Sequence, residues 1–127
     1  MTTATKQISV LIVDDEADIR LLFRTVLRTA DAGLVVCGEA ADGHDAIALV
    51  DSEHPDVVIL DQRMPGMTGI ETAREIERRH PDQRIVLCSA YLDPELRREA
   101  EEAGITECLG KTDIRRIPQV VREVATR

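Results

Sequence analysis

Ile8-Ser9-Val10-Leu11-Ile12-Val13-Asp14-Asp15 is a short, almost wholly apolar run closed by two carboxylates. A continuous Val/Ile/Leu stretch of this length suits a strand covered on both faces. The arrangement returns three times. Val57-Val58-Ile59-Leu60 is followed by Asp61, Ile85-Val86-Leu87-Cys88 by Ser89, and Cys108-Leu109-Gly110 by Lys111. If these runs are parallel strands of one sheet, three acids, a hydroxyl and an amine converge on one edge. Such a cluster can bind a divalent cation and accept a phosphoryl group.

Outward from those runs, strands are expected over 9–14, 34–40, 57–61, 85–89 and 107–109, the last mainly from its position. Amphipathic segments alternate with them. Ile19, Leu22, Phe23, Val26 and Leu27 recur at helical spacing, with Arg20, Arg24 and Arg28 on another face. Ala46, Leu49 and Val50 follow the Asp42-Gly43 turn, and Ile70, Ala73 and Ile76 precede a stop at His80-Pro81. Leu96, Ala100 and Ala103 lie between Asp93-Pro94, a good helix start, and Gly104. Val120, Val121 and Val124 mark the fifth helix, which should begin at Pro118 after an irregular lead-in over 114–117. The order is β-α five times. Right-handed crossovers then give an α/β, doubly wound, five-stranded parallel sheet with helices on both faces. Ligands bind such sheets at the carboxyl ends of the strands, where all the polar signals fall.

The 127 residues suit a single domain, with a core over about 8–126 and a flexible tail over 1–7. The formal charge of −8 makes direct binding to nucleic-acid backbones unfavourable. Cys37, Cys88 and Cys108 are an odd number, widely spaced, and match neither a disulfide framework nor a zinc pattern. Free thiols in a reducing cytosol are expected. Neither a signal peptide nor a membrane-spanning run is visible, so a soluble cytoplasmic protein is expected.

Asp14, Asp15 and Asp61 would lie within a few ångströms of one another. Two unit charges 4 Å apart repel by about 1 kcal/mol in water and about 4 kcal/mol near a protein surface. Mg2+, a hard cation with oxygen ligands, is the natural counter-charge. Asp61 is the candidate nucleophile, since a carboxylate can attack phosphorus and form an aspartyl phosphate. Lys111 would neutralise charge as a mobile ammonium, and Ser89 could donate to a phosphoryl oxygen. Taken singly, Asp14-Asp15 could cap a helix, Asp61 and Ser89 could belong to turns, and Lys111 could be a solvated amine. Their joint placement at four strand ends speaks against that.

These residues resemble the receiver domains of two-component response regulators, the CheY-like, flavodoxin-like fold with strand order 2-1-3-4-5 and five helices. The resemblance runs from Ile8 to about Val124. It rests on Val13-Asp14-Asp15, on Leu60-Asp61-Gln62-Arg63-Met64-Pro65-Gly66-Met67-Thr68-Gly69, on Ser89-Ala90 and on Lys111. It implies that Asp61 accepts the phosphoryl group from a phosphohistidine on a sensor histidine kinase or phosphotransfer protein. It further implies that Asp14, Asp15, Asp61 and the Arg63 backbone carbonyl hold Mg2+, and that Ser89 and Lys111 contact the phosphoryl group. The domain would act as a conformational switch towards an output partner or domain, with a homodimer possible and no membrane or nucleic-acid binding of its own. Val36-Cys37-Gly38-Glu39-Ala40-Ala41-Asp42-Gly43 is similar to receivers that precede a LuxR-type DNA-binding domain; no helix-turn-helix occurs in these residues.

Three positions depart from the family pattern. Cys108 stands where an aromatic ring usually moves on activation. Lys111 precedes Thr112 instead of Pro, so a trans peptide is expected. Pro118 shortens the last helix. Arg63 and Tyr91, two residues after Asp61 and Ser89, occupy positions that tune phosphoryl lifetime in the family. His44, His54 and His80 read as surface residues, and the charged run 97–102 as a solvated helix face that could meet an output partner. Cys88 and Cys108 fall on neighbouring strands, which leaves a redox switch open. An alternative, a Mg2+-dependent phosphohydrolase with an Asp nucleophile, needs an acid two residues after Asp61, where Arg63 stands. A flavodoxin-like nucleotide binder would need a Ser/Thr/Gly-rich phosphate loop where Asp14-Asp15-Glu16 stand.

Overall fold

The computed structural model describes residues 7–127. The strands are β1 (Ile8–Val13), β2 (Leu34–Ala40), β3 (Val57–Leu60), β4 (Arg84–Ser89) and β5 (Glu107–Gly110). The helices are α1 (Ala17–Ala30), α2 (Gly43–Glu53), α3 (Gly69–Arg79), α4 (Pro94–Glu102) and α5 (Ile117–Ala125). All pairings are parallel and the spatial order is β2-β1-β3-β4-β5, the doubly wound arrangement expected. Of the expected tail over 1–7, residues 1–6 lie outside the described residues; Gln7 is exposed and precedes β1.

The continuous apolar strands divide their side chains between two layers, as a period of two requires. Leu11, Val13, Val58, Leu60, Ile85 and Leu87 face α2, α3 and α4, meeting Val50, Ile76 and Ala100. Val10, Ile12, Val57, Ile59, Val86 and Cys88 face α1 and α5, meeting Phe23, Leu27, Ile117 and Val121. Burying both faces leaves no solvated side to β1, β3 or β4, which accounts for the runs seen in the sequence.

Local signals set where the helices start. Asp93 accepts from the Leu96 N–H at 2.8 Å with Pro94 in the first turn, as expected for α4. Thr68 and Glu71 form a reciprocal capping box on α3, and Asp42 caps α2 through the Asp45 N–H. The last segment differs from expectation. The lead-in is a 3-10 stretch, Lys111–Arg116, longer than the expected 114–117. The regular helix starts at Ile117, so that Pro118 sits in the first turn, where its missing N–H costs nothing. No cis peptide occurs among the described residues, so Lys111 joins Thr112 in trans as expected.

Cys88 and Cys108 belong to neighbouring strands but to opposite layers. Cys108 pairs with Leu87 and sides with the α3/α4 layer, while Cys88 lies under α5. The sheet stands between them, so the redox switch that the sequence left open has no geometry for a disulfide. Burial pushes the Cys88 thiol up to about 12, which suits inert packing.

Candidate functional site

The acids sit just past the strands, yet the ladder runs on through them. The Asp14 N–H donates to Ala40 O at 3.1 Å, and the Asp61 N–H to Val13 O at 3.0 Å. Ser89 and Gly110 are paired at the ends of β4 and β5, which delivers Lys111 to the same edge. Three carboxylate oxygens, one each from Asp14, Asp15 and Asp61, lie within 4.8 Å of one another. Asp14, Asp61 and Ser89 are buried and Asp15 is exposed, so the cluster has a closed floor and an open mouth.

Lys111 Nζ reaches between the two buried acids, 2.9 Å from Asp14 Oδ2 and 3.2 Å from Asp61 Oδ1. Burial, then the Asp14 charge, raise the Asp61 carboxyl above the usual carboxylate range, against the pull of Lys111. Burial also pulls the Lys111 ammonium down, but the two carboxylates outweigh it and hold it above its ordinary value. The two Asp14 oxygens differ. Oδ1 accepts from the Glu16 N–H at 2.9 Å, whereas Oδ2 is buried with no hydrogen bond of proper alignment. The Lys111 ammonium at 2.9 Å answers at most one of the two lone pairs of Oδ2. An under-satisfied buried oxygen beside two further carboxylates fits an oxygen-loving divalent cation such as Mg2+.

The loop after Asp61 is fixed by its own residues. Gln62 O accepts from the Gly69 N–H at 2.9 Å, and Gln62 Oε1 accepts from the Ile70 N–H at 2.9 Å. A Cβ on Gly69 would stand 2.3 Å from Asp61 O, so only glycine lets the start of α3 come this close to the acid. Gly66, at φ 79°, makes the turn within the loop. Gln62 was not legible as a site residue, nor was Arg20. The Arg20 guanidinium donates to Asp14 O at 2.7 Å and also meets Glu39 at 3.4 Å, tying α1 and β2 to the site. Helical spacing alone gives no sign that Arg20 does this.

Above the acids a cleft of about 690 Å³ runs to α4. Asp15, Arg63, Ser89 and Tyr91 line it, with Asp93, Glu95 and Glu99 on its far side. The Arg63 guanidinium carbon lies 4.9 Å from the Tyr91 ring centroid, a cation–π contact across the mouth. Cys108 does not reach this cleft; it borders a separate groove with Arg97, Glu101 and Ile105. Of the histidines, His44 and His54 are exposed, while His80 is half-buried and bonded to Asp51 at 2.6 Å.

A parallel sheet whose carboxyl edge holds an acid triad, a hydroxyl and a lysine is the arrangement of a phospho-accepting switch. The family model for the response regulator receiver domain matches residues 10–122, and the chain belongs to that family. It is similar to the chemotaxis protein CheY of Thermotoga maritima, 36% identical over 102 residues, covering 80% of this chain and 83% of that one. It is 39% identical over 98 residues to the uncharacterized transcriptional regulatory protein YxjL of Bacillus subtilis, covering 77% of this chain and 44% of that protein. The chain thus spans less than half of YxjL. Among solved structures, the receiver domain of the putative response regulator NarL from Mycobacterium tuberculosis superimposes with a TM-score of 0.87 at 30% identity, covering 96% of this chain and 98% of that one. The function is that of a CheY-like receiver in two-component signalling, and no observation favours the phosphohydrolase.

Proposed function

We propose that Asp61 is the phosphoacceptor of this receiver and that its phosphorylation shifts the domain between two conformations. The observation that carries this is the Lys111 ammonium held between Asp14 and Asp61 at the end of the sheet. One carboxylate oxygen of Asp61 attacks the phosphorus of a phosphohistidine on a sensor kinase or phosphotransfer protein. The O–P bond forms as the N–P bond breaks, and the bonding pair stays on the imidazole nitrogen, which takes up a proton. Lys111 lowers the repulsion between the acid and the incoming oxygens, and Ser89 Oγ–H donates to one of them. Asp14, Asp15, Asp61 and the Arg63 carbonyl would hold Mg2+. When bound, that ion supplies positive charge to the acids and the phosphoryl oxygens.

Arg63 and Tyr91 stand at the mouth of the cleft, where their side chains hinder the approach of water to the acyl phosphate and so lengthen its life. Phosphoprotein decay followed by intact mass should quicken several-fold when both are replaced by Ala; an unchanged decay rate removes this role. With Arg63 in the place of a second acid, the domain does not turn over phosphoesters. It works as a single receiver unit in the cytoplasm, and as a homodimer or with an output partner once phosphorylated. Among the described residues, no helix is long and apolar enough to cross a membrane.

Incubation with Mg2+ and acetyl phosphate tests the acceptor. One acid-stable, base-labile phosphoryl group per chain is expected in the wild type and none in Asp61→Asn. A phosphoryl group that persists in Asp61→Asn would falsify the assignment.

A further inference from the structure

Tyr91 is 68% exposed, yet it is held at two points. Its backbone N–H donates to Ser89 Oγ at 3.4 Å, and its ring lies beneath the Arg63 guanidinium at 4.9 Å. Both holders are groups that a phosphoryl on Asp61 attracts, a hydroxyl and a guanidinium. The added group carries a charge of about −1.5 to −2 and three strong acceptor oxygens. A guanidinium prefers such a planar pair of oxygens to the face of a ring, and it can grip them with two parallel N–H bonds. The N–H bond to Ser89 Oγ is already at the long limit, so a small turn of the hydroxyl breaks it. Arg63 is the one cation lining the cleft among the described residues, facing Asp15, Asp93, Glu95 and Glu99. Lys111 lies deeper, between Asp14 and Asp61, which leaves Arg63 as the cation for phosphoryl oxygens that face the mouth.

The fold gives a released Tyr91 something to move. It stands two residues before Asp93, whose carboxylate caps α4 through the Leu96 N–H. The ring that the sequence lacks at Cys108 is also missing from that layer of the core. Of the two aromatic residues, Phe23, on α1, is buried in the other layer, which leaves Tyr91 as the one beside the site.

Resting on Asp61 as the acceptor, we propose that phosphorylation frees Tyr91. Arg63 and Ser89 turn from the ring and backbone of Tyr91 to the phosphoryl oxygens, and the loop that starts α4 changes position. Tyr91 is then the moving aromatic of this switch, in place of Cys108.

Tyr91 is the single tyrosine of the chain, so protein labelled with 3-fluorotyrosine has one ring resonance in 19F NMR. Unphosphorylated Arg63→Ala protein sets the position of the released ring. With Mg2+ and acetyl phosphate, the wild-type resonance is expected to move at least halfway towards that position, in proportion to the phosphorylated fraction measured by intact mass. A phosphorylated protein with an unmoved resonance overturns the release of Tyr91 and leaves Asp61 as acceptor intact. An Arg63→Ala resonance identical to the wild type also overturns it, because the ring was then never held. Failure to gain a phosphoryl group by mass overturns the Asp61 reading and this inference together.

Discussion

In the metal-free protein, Lys111→Met is expected to lower unfolding free energy by about 3 kcal/mol, the lower end of the range for breaking a buried ion pair. Asp14 and Asp61 are buried beside each other, and Lys111 is the cation that meets both. Methionine is unbranched, nearly as long and uncharged, so the packing of the aliphatic stem is largely retained. The Asp61 carboxyl is already raised by burial and by Asp14, and without the ammonium it must rise further. The sign for pH follows. An acid whose folded pKa lies above its unfolded value favours folding when protonated, so this group stabilises at low pH and that gain is lost as pH rises through the folded pKa. The variant's deficit should therefore be largest at neutral pH and shrink on acidification. Millimolar Mg2+ should restore part of it, since a ligand of the folded state alone stabilises by mass action. Urea unfolding at two pH values, with and without Mg2+, measures all of this. Equal midpoints for variant and wild type without metal would mean that Lys111 does not balance these acids.

Gly69→Ala is expected to damage the site more than the fold. The added methyl would meet Asp61 O at 2.3 Å, Gln62 Cα at 2.9 Å and Asp61 C at 3.0 Å. All three are backbone, so nothing flexible can swing aside. Either α3 retreats or the peptide after Asp61 rotates, at a cost typical of overpacking, about 1–3 kcal/mol. Both movements shift the Asp61 carboxylate relative to Lys111 and Ser89. Misplacement on the order of 1 Å can slow a positioned reaction about a hundredfold. Initial rates of phosphorylation by acetyl phosphate, set against urea midpoints, separate the two effects. A rate within twofold of wild type would show that the acid does not depend on this close approach.

The strands were legible because burial on both faces leaves an unbroken apolar run, as in Val57–Leu60. The helix starts were legible where a side chain caps them, as at Asp93. The last segment was not, because Pro118 marks a first turn without fixing how many residues of 3-10 helix precede it. Within the site, Asp14, Asp15, Asp61, Ser89 and Lys111 announced themselves by standing at strand ends, and the fold brings them together. Arg20 and Gln62 did not. Their roles arise from side chains reaching across tertiary space to Asp14 O and to the Ile70 N–H, and no local pattern records such reach. The Arg63–Tyr91 contact lies between these cases. Both residues stood out by position, but their meeting is visible only in three dimensions.

The division of each central strand between two core layers also bears on how the sequence can vary. On β4, Val86 and Cys88 point one way while Ile85 and Leu87 point the other, and Ser89 ends the count. Gaining or losing one residue inside that strand would turn every later side chain to the wrong layer and aim the hydroxyl away from the acids. The alternation therefore works as a ruler for the reactive groups. An added residue is expected to be tolerated better in the connections at the opposite edge of the sheet, such as the turn at His80–Gln83, which lies away from the acids.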